Sequence, residues 1–440
     1  MSQTTTDVEA GKRPSFDSEM EKPQSTFYEG TLSDTSKQVD DEYPDGGWRA
    51  WLTVFGAFLA LMCTFGQLSS FGTFQSWYTE HQLQSFAPST VSWIGSIQLW
   101  MFFFSGGFVG RIFDAYGPRM LMIPGTLVLV ASTMVTSICE TYYQYILSQG
   151  ILFGLGVGML FYPSLSAVST HFKRYRATAL GIAISGSGVG GVVYPIMLQR
   201  LFISVGFGWG VRISGFTCLL LCGIACCTVS SRLAPRTAPA PWLPAAPWRD
   251  TNFVLLVAGS ACIALGLFVP NFYIVSYAVA HGAPRATAFY VLAALNGAGT
   301  LGRLVPACAA DRAGRFNVLV PAAAAAGVAV LAGWPLAHGL GGCVAFAAVF
   351  GFASGAFNAL VVPCVAQISD VRHIGTRIGL LYSVLAFPSL AGEPAAGALL
   401  RAAHGSYIGM IVFSGATVLL GSFFFLWVRL RLDSRLLARV

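Results

Sequence analysis

The sequence has little charge, and negative charge is especially scarce outside its first segment. Only 10% of the 440 residues are charged, compared with roughly 25% in soluble domains. Of the 19 Asp and Glu residues, 11 lie in the first 47 positions, and only Glu393 lies inside a long apolar segment. Because 55% of the residues are hydrophobic, this pattern excludes a single soluble core and predicts many lipid-facing segments.

Signals for several other protein classes are also missing. The six His residues lie at helix ends or in loops, and no Ser/His/Asp set, zinc-binding spacing or phosphate-binding loop is present. The Gly-rich stretch 185–191 follows no soluble strand, so it does not indicate nucleotide binding. We therefore expect no enzyme, cofactor, metal or nucleic-acid partner, and no drive by ATP.

The cysteines show no spacing typical of a metal site. Nine of the ten lie in apolar segments, and Cys218, Cys222 and Cys226 recur every four residues, which places them on one helix face. Small apolar packing residues are the simpler interpretation, and metal binding is the alternative.

The first 47 residues differ from the rest. Four basic and 11 acidic residues give them a net charge of −7, whereas the remaining 393 residues carry +14. This composition predicts a disordered acidic tail over 1–47. The tail has no apolar core, so it is not a signal peptide.

Twelve apolar stretches are long enough to cross a bilayer, which needs about 20 residues at a helical rise of about 1.5 Å. All should be helices, because lipid offers the backbone no hydrogen-bond partner. The predicted spans are roughly 50–72, 89–112, 120–139, 143–170, 177–201, 210–231, 251–279, 287–309, 316–336, 341–368, 375–400 and 406–429.

A Pro-rich segment divides these spans into two sets of six. Residues 232–250 contain five prolines, which cannot occupy a helix interior. The sequence therefore predicts an all-α membrane protein with twelve transmembrane helices in two pseudo-symmetric six-helix bundles. The bundles comprise 48–231 and 251–431, and a basic tail follows over 432–440.

An internal repeat supports the two halves. Asp114 and Gly117 follow the second span, and Asp311 and Gly314 follow the eighth, at a constant offset of 197 residues. A parallel duplication of six helices is typical of transporters that bind their substrate near the membrane midplane, between the repeats.

The placement of Lys and Arg predicts the orientation. With a cytoplasmic N-terminus, the inner loops carry 13 Lys and Arg residues and the outer loops carry four. Positive residues favour the cytoplasmic side. We expect a multi-pass protein of the plasma membrane with both termini in the cytoplasm.

Four motifs resemble those of the monocarboxylate-porter family of the major facilitator superfamily. They are 44–51 (PDGGWRAW), 110–119 (GRIFDAYGPR), 171–177 (HFKRYRA) and the pair GRL at 302–304 with DRAGRFN at 311–317. The resemblance covers residue 44 to about residue 431 and points to a fungal branch. It implies a secondary transporter that works by alternating access.

The resemblance implies a small organic acid or carboxylated metabolite as substrate. Export of a fungal secondary metabolite is the favoured interpretation, because the 33 Phe residues suit a larger amphipathic molecule. Proton-linked uptake of a monocarboxylate or vitamin-like acid is the alternative within transport. A non-transporting membrane sensor is the alternative from another class.

Arg303 is the candidate for anion recognition. It lies eight residues before Asp311, or about 12 Å into the membrane, and a guanidinium can bind a carboxylate through two hydrogen bonds. Snorkelling to the interface is the alternative. The resemblance implies a substrate-path Arg in this span, but Gly299 and Ser69 stand where animal members have Asp and Lys. These differences argue against a proton–lactate mechanism.

Other polar residues at membrane depth are candidates for shaping the substrate site. In the resembled superfamily, spans one, four, seven and ten line the cavity. For each residue the alternative is a hydrogen bond between helices. The candidates are Gln67, Ser69, Tyr162, Asn271, Tyr273, Asn296 and Asn358.

Glu393 is the candidate for proton coupling. A carboxylate removed from water takes up a proton more readily, and Pro394 opens the helix beside it. The alternative is a carboxylate at a helix end, bonded to nearby polar groups. We expect Glu393 near the outer leaflet, separated from Arg303 by most of the membrane.

The repeated loops carry a candidate conformational latch. Asp114 and Arg119 in the first loop, and Asp311 and Arg312 in the second, could pair charges across helix ends and hold one state. The alternative is a loop that only sets the membrane topology.

Overall fold

The computed structural model describes residues 2–3, 45–233, 245–435 and 438. Nearly all of the predicted acidic tail, the centre of the Pro-rich linker (234–244) and most of the end of the basic tail lie outside the described residues. Among the described residues every regular element is a helix, as the sequence predicts.

Twelve helical segments within the described ranges are long and apolar enough to cross a membrane. Their number agrees with the predicted count, and the chain is a multi-pass membrane protein. The spans are Trp48–Glu80, Thr90–Tyr116, Arg119–Thr136, Tyr142–His171, Arg176–Ser204, Phe207–Thr228, Thr251–Ala280, Tyr290–Ala313, Arg315–Leu336, Gly339–Gln367, Val371–Ala402 and Ile408–Leu432. Below they are called spans one to twelve.

Two spans contain a π-helical turn. Residues Ile146–Leu152 form one in span four, and Ala329–Gly333 form one in span nine. Such turns bend a helix because one extra residue is accommodated in the hydrogen-bond ladder.

The repeated glycines end equivalent helices. The helix of span two stops at Gly117 (φ 79°), and that of span eight stops at Gly314 (φ 101°). Positive φ angles are easily adopted only by glycine, which explains its use after a helix end. The next span begins within two residues of each glycine, so both connections are tight.

The first span of each half is broken at the same relative position. Span one consists of Trp48–Ser69 and Phe71–Glu80, with Ser70 between them. Span seven consists of Thr251–Leu267 and Val269–Ala280, with Phe268 between them. Pro270 lacks an N–H donor and so favours the second break. Both breaks leave a short helix that completes the span.

The spans form two halves, one containing spans one to six and the other spans seven to twelve. Within the halves, span one packs extensively on span five, span eight on span ten and span seven on span twelve. Between the halves, span two packs on span eleven and span five on span eight. We call the end with the loops of Lys173, Arg174, Arg312 and Arg315 the basic face, and the other end the opposite face.

Glycines allow the close crossing of spans two and eleven. A Cβ atom at Gly379 would lie 2.0 Å from the carbonyl oxygen of Gly106, and one at Gly110 would lie 2.0 Å from that of Gly375. At the equivalent crossing of spans five and eight, a Cβ at Gly181 would lie 2.5 Å from the Cβ of Ala307. The two halves therefore touch through backbone at the basic face.

We expect Gly379→Ala to weaken this crossing. The added methyl group would collide with backbone rather than with a flexible side chain, at a cost of about 1–3 kcal/mol. The thermal unfolding temperature of the purified protein should fall. The control is Gly223→Ala in span six, where no atom lies within 4 Å of the added Cβ. Equal unfolding temperatures for both variants would contradict the backbone contact.

Candidate functional site

Asp114 joins the two halves at the basic face. Its Oδ1 accepts a hydrogen bond from the N–H of Gly375 (3.0 Å), and its Oδ2 accepts from the N–H and hydroxyl of Thr376 (2.7 and 2.6 Å). These groups lie in the first turn of the long helix of span eleven, Ile374–Ala402. A carboxylate from one half therefore caps the positive end of a helix in the other half.

Asp311 makes the equivalent contact in the reverse direction. Its two oxygens accept hydrogen bonds from the N–H groups of Ala177 (3.0 Å) and Thr178 (2.7 Å). Both residues lie in the first turn of span five, whose helix begins at Arg176. The repeat thus produces two matched contacts. In each, an aspartate of one half caps a helix of the other half.

The arginines beside these caps differ from those that the sequence suggested. Arg119 and Arg312 are exposed and make no ion pair among the described residues. Arg315 instead lies 3.9 Å from Asp311, and its Nη2 donates to the backbone oxygen of Lys173 across the halves (2.7 Å). Sequence spacing could not separate Arg312 from Arg315, because both lie within one turn of the same loop.

A second pair of aspartates organises each half from within. Asp45 accepts hydrogen bonds from the N–H groups of Lys173 (2.6 Å) and Arg174 (2.7 Å). In the other half, Asp250 pairs with Arg377 at 2.7 Å. Both aspartates immediately precede the first span of their half. These hydrogen bonds give Asp45, the acidic residue of the motif at 44–51, a structural role.

An aromatic cluster closes the centre of the interface between spans two, four and eleven. The ring of Tyr382 lies 5.6 Å, between centroids, from each of Phe103, Phe161 and Tyr162. The Tyr162 hydroxyl donates to the backbone oxygen of Phe102 (3.1 Å). We call Phe103, Phe161, Tyr162 and Tyr382 the aromatic plug. Tyr382 was not among the predicted residues, because no spacing marks one tyrosine in an apolar helix.

Arg303 reaches from span eight onto span five. Its Nη1 would lie 2.6 Å from a Cβ at Gly188, so the guanidinium packs directly on that backbone. Its Nε and Nη1 are buried and have no hydrogen-bond partner within the described ranges. Burying a charged group without a partner is costly, so this guanidinium is suited to an anionic ligand.

Two other polar residues lie near Arg303 by helical register. Asn296 lies seven residues before it, on the same helix face. Spans eight and ten cross at Gly299 and Gly355, because a Cβ at Gly355 would lie 2.3 Å from the backbone oxygen of Gly299. Asn358 lies about one turn beyond Gly355. This register places Asn358 near the depth of Arg303. Both asparagines are half-buried.

Glu393 belongs to a separate polar group nearer the opposite face. The Tyr273 hydroxyl lies 3.5 Å from its backbone oxygen, and Asn271 lies on the same short helix as Tyr273. Glu393 follows Gly375 by 18 residues, which is about 27 Å along a helix, against about 12 Å for Arg303. By helical rise alone, the two residues differ in depth by roughly 15 Å.

Two predicted residues are engaged with neighbouring helices, Gln67 inside the first half and Tyr162 at the interface with span eleven. The Gln67 amide donates to Cys218 Sγ (2.9 Å) and is buried between spans one and six, and Tyr162 is held within the aromatic plug. Ser69 is different, because it is exposed beside the break of span one and close to Gly191. For Gln67 and Tyr162 the contacts favour the alternative of hydrogen bonds between helices.

These features define a class of protein. Two repeated halves of six spans are joined at one face by reciprocal caps, and at their interface lies Arg303, whose Nε and Nη1 have no hydrogen-bond partner in the described part of the chain. At the opposite face, the short helices Phe71–Glu80 and Val269–Ala280 do not pack extensively on each other. This is the architecture of a transporter built from repeats.

Comparisons with known proteins agree with this class. The family model of the Major Facilitator Superfamily matches residues 57–339, and the chain belongs to this superfamily of transporters. "MFS transporter asaE" of Aspergillus flavus is 42% identical over 392 residues, which cover 89% of each chain. The "Fujikurins efflux protein" of Gibberella fujikuroi is 38% identical and covers 92% of this chain and 88% of its own.

A solved structure shares the fold. FucP in the outward conformation superposes with a TM-score of 0.65 at 13% identity, over 84% of this chain and 99% of that chain.

We expect Asp114→Asn to favour separation of the halves at the basic face. Loss of the charge weakens the cap on span eleven by roughly 1–3 kcal/mol, so the population of the separated state should rise about tenfold or more. Single-molecule FRET between noncanonical amino acids at Met120 and Leu432 measures this distance and leaves the ten cysteines unmodified.

The control is Asp370→Asn. Asp370 also accepts a backbone hydrogen bond near the start of span eleven, but the donor is Arg372 in the same half. Equal distance distributions for the two variants would show that the contact across the halves does not hold the closed face.

Proposed function

We propose that this chain exports an amphipathic organic anion, of the class of fungal secondary metabolites, across the plasma membrane by alternating access. The observation that carries the proposal is the buried guanidinium of Arg303, whose Nε and Nη1 lack a partner among the described residues. Relatives named as efflux proteins, such as that for fujikurins, support the direction.

The charge of the site favours an anion. No acidic side chain lies one turn before Arg303, where Gly299 packs against span ten, and a Cβ there would lie 3.3 Å from the oxygen of Gly351. A side chain at this position would therefore press on span ten, and the glycine supplies no counter-ion to Arg303. A substrate carboxylate or enolate would satisfy the guanidinium through two hydrogen bonds.

The surroundings favour an amphipathic substrate. The aromatic plug lies at about the depth of Arg303, because Tyr382 follows Gly375 by seven residues, or about 10 Å. We propose that Arg303, Asn296, Asn358 and Ser69 contact the substrate, and that the plug closes the path below it. Gln67 and Tyr162 support the helices around this path, and Asn271 lies nearer its outer end.

We assign the basic face to the cytoplasm. The excess of Lys and Arg in its loops supports this orientation, and it puts both termini on the cytoplasmic side. It also assigns 232–250 as a cytoplasmic linker between the two domains. The caps at this face, together with short helices opposite that do not pack extensively on each other, then correspond to an outward-facing state.

In this scheme Asp114 and Asp311 form the conformational latch. Each must leave its helix end when the cytoplasmic face opens to admit substrate. Arg119 and Arg312 act as positive residues that set the topology, and Arg315 takes the position beside the latch.

Within the superfamily, we place the chain in the monocarboxylate-porter family. The hydrogen bonds of Asp45 to the loop before span five give the motif at 44–51 a structural role in this fold. The differences at Gly299 and Ser69 separate it from proton–lactate members.

Proton-linked uptake is the second candidate function. Glu393 favours it, because a half-buried carboxylate with no ion pair in the described chain is suited to carry a proton. Its separation from Arg303 would place proton coupling and substrate recognition in different parts of the membrane.

We expect Arg303→Lys to reduce export about tenfold, a loss of about 1.4 kcal/mol, because an ammonium group lacks the planar fork. A strain that lacks the gene and is complemented with either form should retain organic anions inside the cells when it carries the variant. The comparison of metabolites inside and outside these cells also identifies the substrate. The control is Arg401→Lys, an exposed position, and equal export by all three forms would refute the role of Arg303.

We expect Glu393→Gln to abolish the pH dependence of transport, because Gln resembles the protonated acid at every pH. Transport rates in proteoliposomes between about pH 5 and pH 8 test this expectation. The control is Glu140→Gln, at an exposed position outside the spans. A pH profile that persists in the Glu393 variant would make this carboxylate structural.

A further inference from the structure

Two histidines meet at the opposite face of the second half. His281 directly follows span seven, and His338 directly precedes span ten. Their ring centroids are 5.8 Å apart, with an angle of 73° between the ring planes. The residues are 57 positions apart in the chain, so no metal-binding spacing in the sequence indicates this pair.

Both rings are held in the same tautomer by the backbone. His281 Nδ1 lies 2.9 Å from the carbonyl oxygen of Tyr277, and His338 Nδ1 lies 3.1 Å from that of Leu336. A carbonyl oxygen only accepts, so each Nδ1 carries the proton. Each Nε2 therefore has a free lone pair, which is the arrangement found in metal-binding histidines.

The support around the pair is rigid. The His281 ring stacks on that of Tyr277 at 3.9 Å, and the Tyr277 hydroxyl donates to the backbone oxygen of Trp334 (2.9 Å). The backbone oxygen of His281 accepts from the N–H of Gly339 (3.1 Å). The two loops are thus tied together independently of the imidazoles.

The separation of the rings suits a shared metal ion. With Zn–N bonds of about 2.0–2.1 Å and tetrahedral angles, two imidazoles on one zinc have centroids about 5 Å apart. The observed 5.8 Å exceeds this by less than 1 Å, which a small shift of the exposed loop at His338 would cover.

We propose that His281 and His338 bind one Zn²⁺ or similar transition-metal ion at this face. Imidazole ligands favour such metals over Mg²⁺ or Ca²⁺. The described residues contain no group of three His, Cys, Asp or Glu side chains able to hold a metal, so water fills the other positions. The site is therefore reversible and not a permanent structural centre.

The site has a consequence for span seven. His281 ends the short helix Val269–Ala280 that carries Asn271 and Tyr273, whereas His338 lies on the connection between spans nine and ten. A bound ion adds a direct link between that helix and the rest of its half. External metal thereby restrains the helix that lines the outer part of the substrate path.

Isothermal titration of the full chain with ZnCl₂, purified in detergent without a polyhistidine tag, tests the proposal. We expect about one ion bound per chain, a higher unfolding temperature with Zn²⁺, and neither effect with MgCl₂. His338→Ala should weaken binding by more than about tenfold, and His281→Ala should do the same.

His404→Ala is the matched control, because this third histidine of the same face is exposed and belongs to the connection between spans eleven and twelve. It should bind Zn²⁺ like the unmodified protein. Because His338 is exposed, its variant should fold, and its unfolding temperature without metal checks this. Absence of stoichiometric binding, or equal binding by the His338 and His404 variants, would overturn the proposal.

Discussion

The closed face depends on the requirement that the first amides of a buried helix find acceptors. In water these amides would be solvated, but at a packed helix crossing only protein atoms are available. Asp114 and Asp311 supply them, each from the half opposite to the helix that it caps. Opening this face therefore exposes two helix ends and two carboxylates at once, so partial opening is disfavoured. The glycine crossings lie beside these caps, where a Cβ at Gly110 would lie only 2.0 Å from the oxygen of Gly375, whose N–H donates to Asp114.

The scarcity of acidic residues within the spans also determines the environment of Arg303. At the cytoplasmic face of the proposed orientation, aspartates meet helix ends or arginines, whereas deeper in the spans Arg303 has no acidic partner among the residues that the structure describes. Gly188 permits its approach to span five, and Gly299 permits the tight packing of span eight on span ten. Gly188 thus lets the charge approach the interface, and Gly299 leaves the preceding turn of the same helix without a carboxylate. An anion that enters would contact both halves together.

Much of the fold could be predicted from the sequence, and less of the site. Apolar length sets the twelve helices, and the offset of 197 residues identifies Asp114 and Asp311 as equivalent. Side-chain direction across helices has no such local signal. Gln67 is polar, as a cavity residue would be, but it bonds to Cys218 within its own half. Tyr382 has no signal in the sequence, and only its packing on Phe103 shows that it lies at the interface. Arg315 was missed beside Arg312 because a fraction of a helical turn decides which one faces Asp311.

The breaks at Ser70 and Phe268 make the two faces differ in how they could close. At the basic face, unbroken helices of the two halves pack against each other. Closing that face would therefore require each half to move as a rigid body. At the opposite face, Phe71–Glu80 and Val269–Ala280 are ten and twelve residues long, and each is joined to the rest of its span by a single turn residue. Tilting of these pieces can seal that face while the main bodies stay in place. Under the proposed alternating access, such tilting would produce a state that is shut at both faces and would enclose a solute before either half rotates.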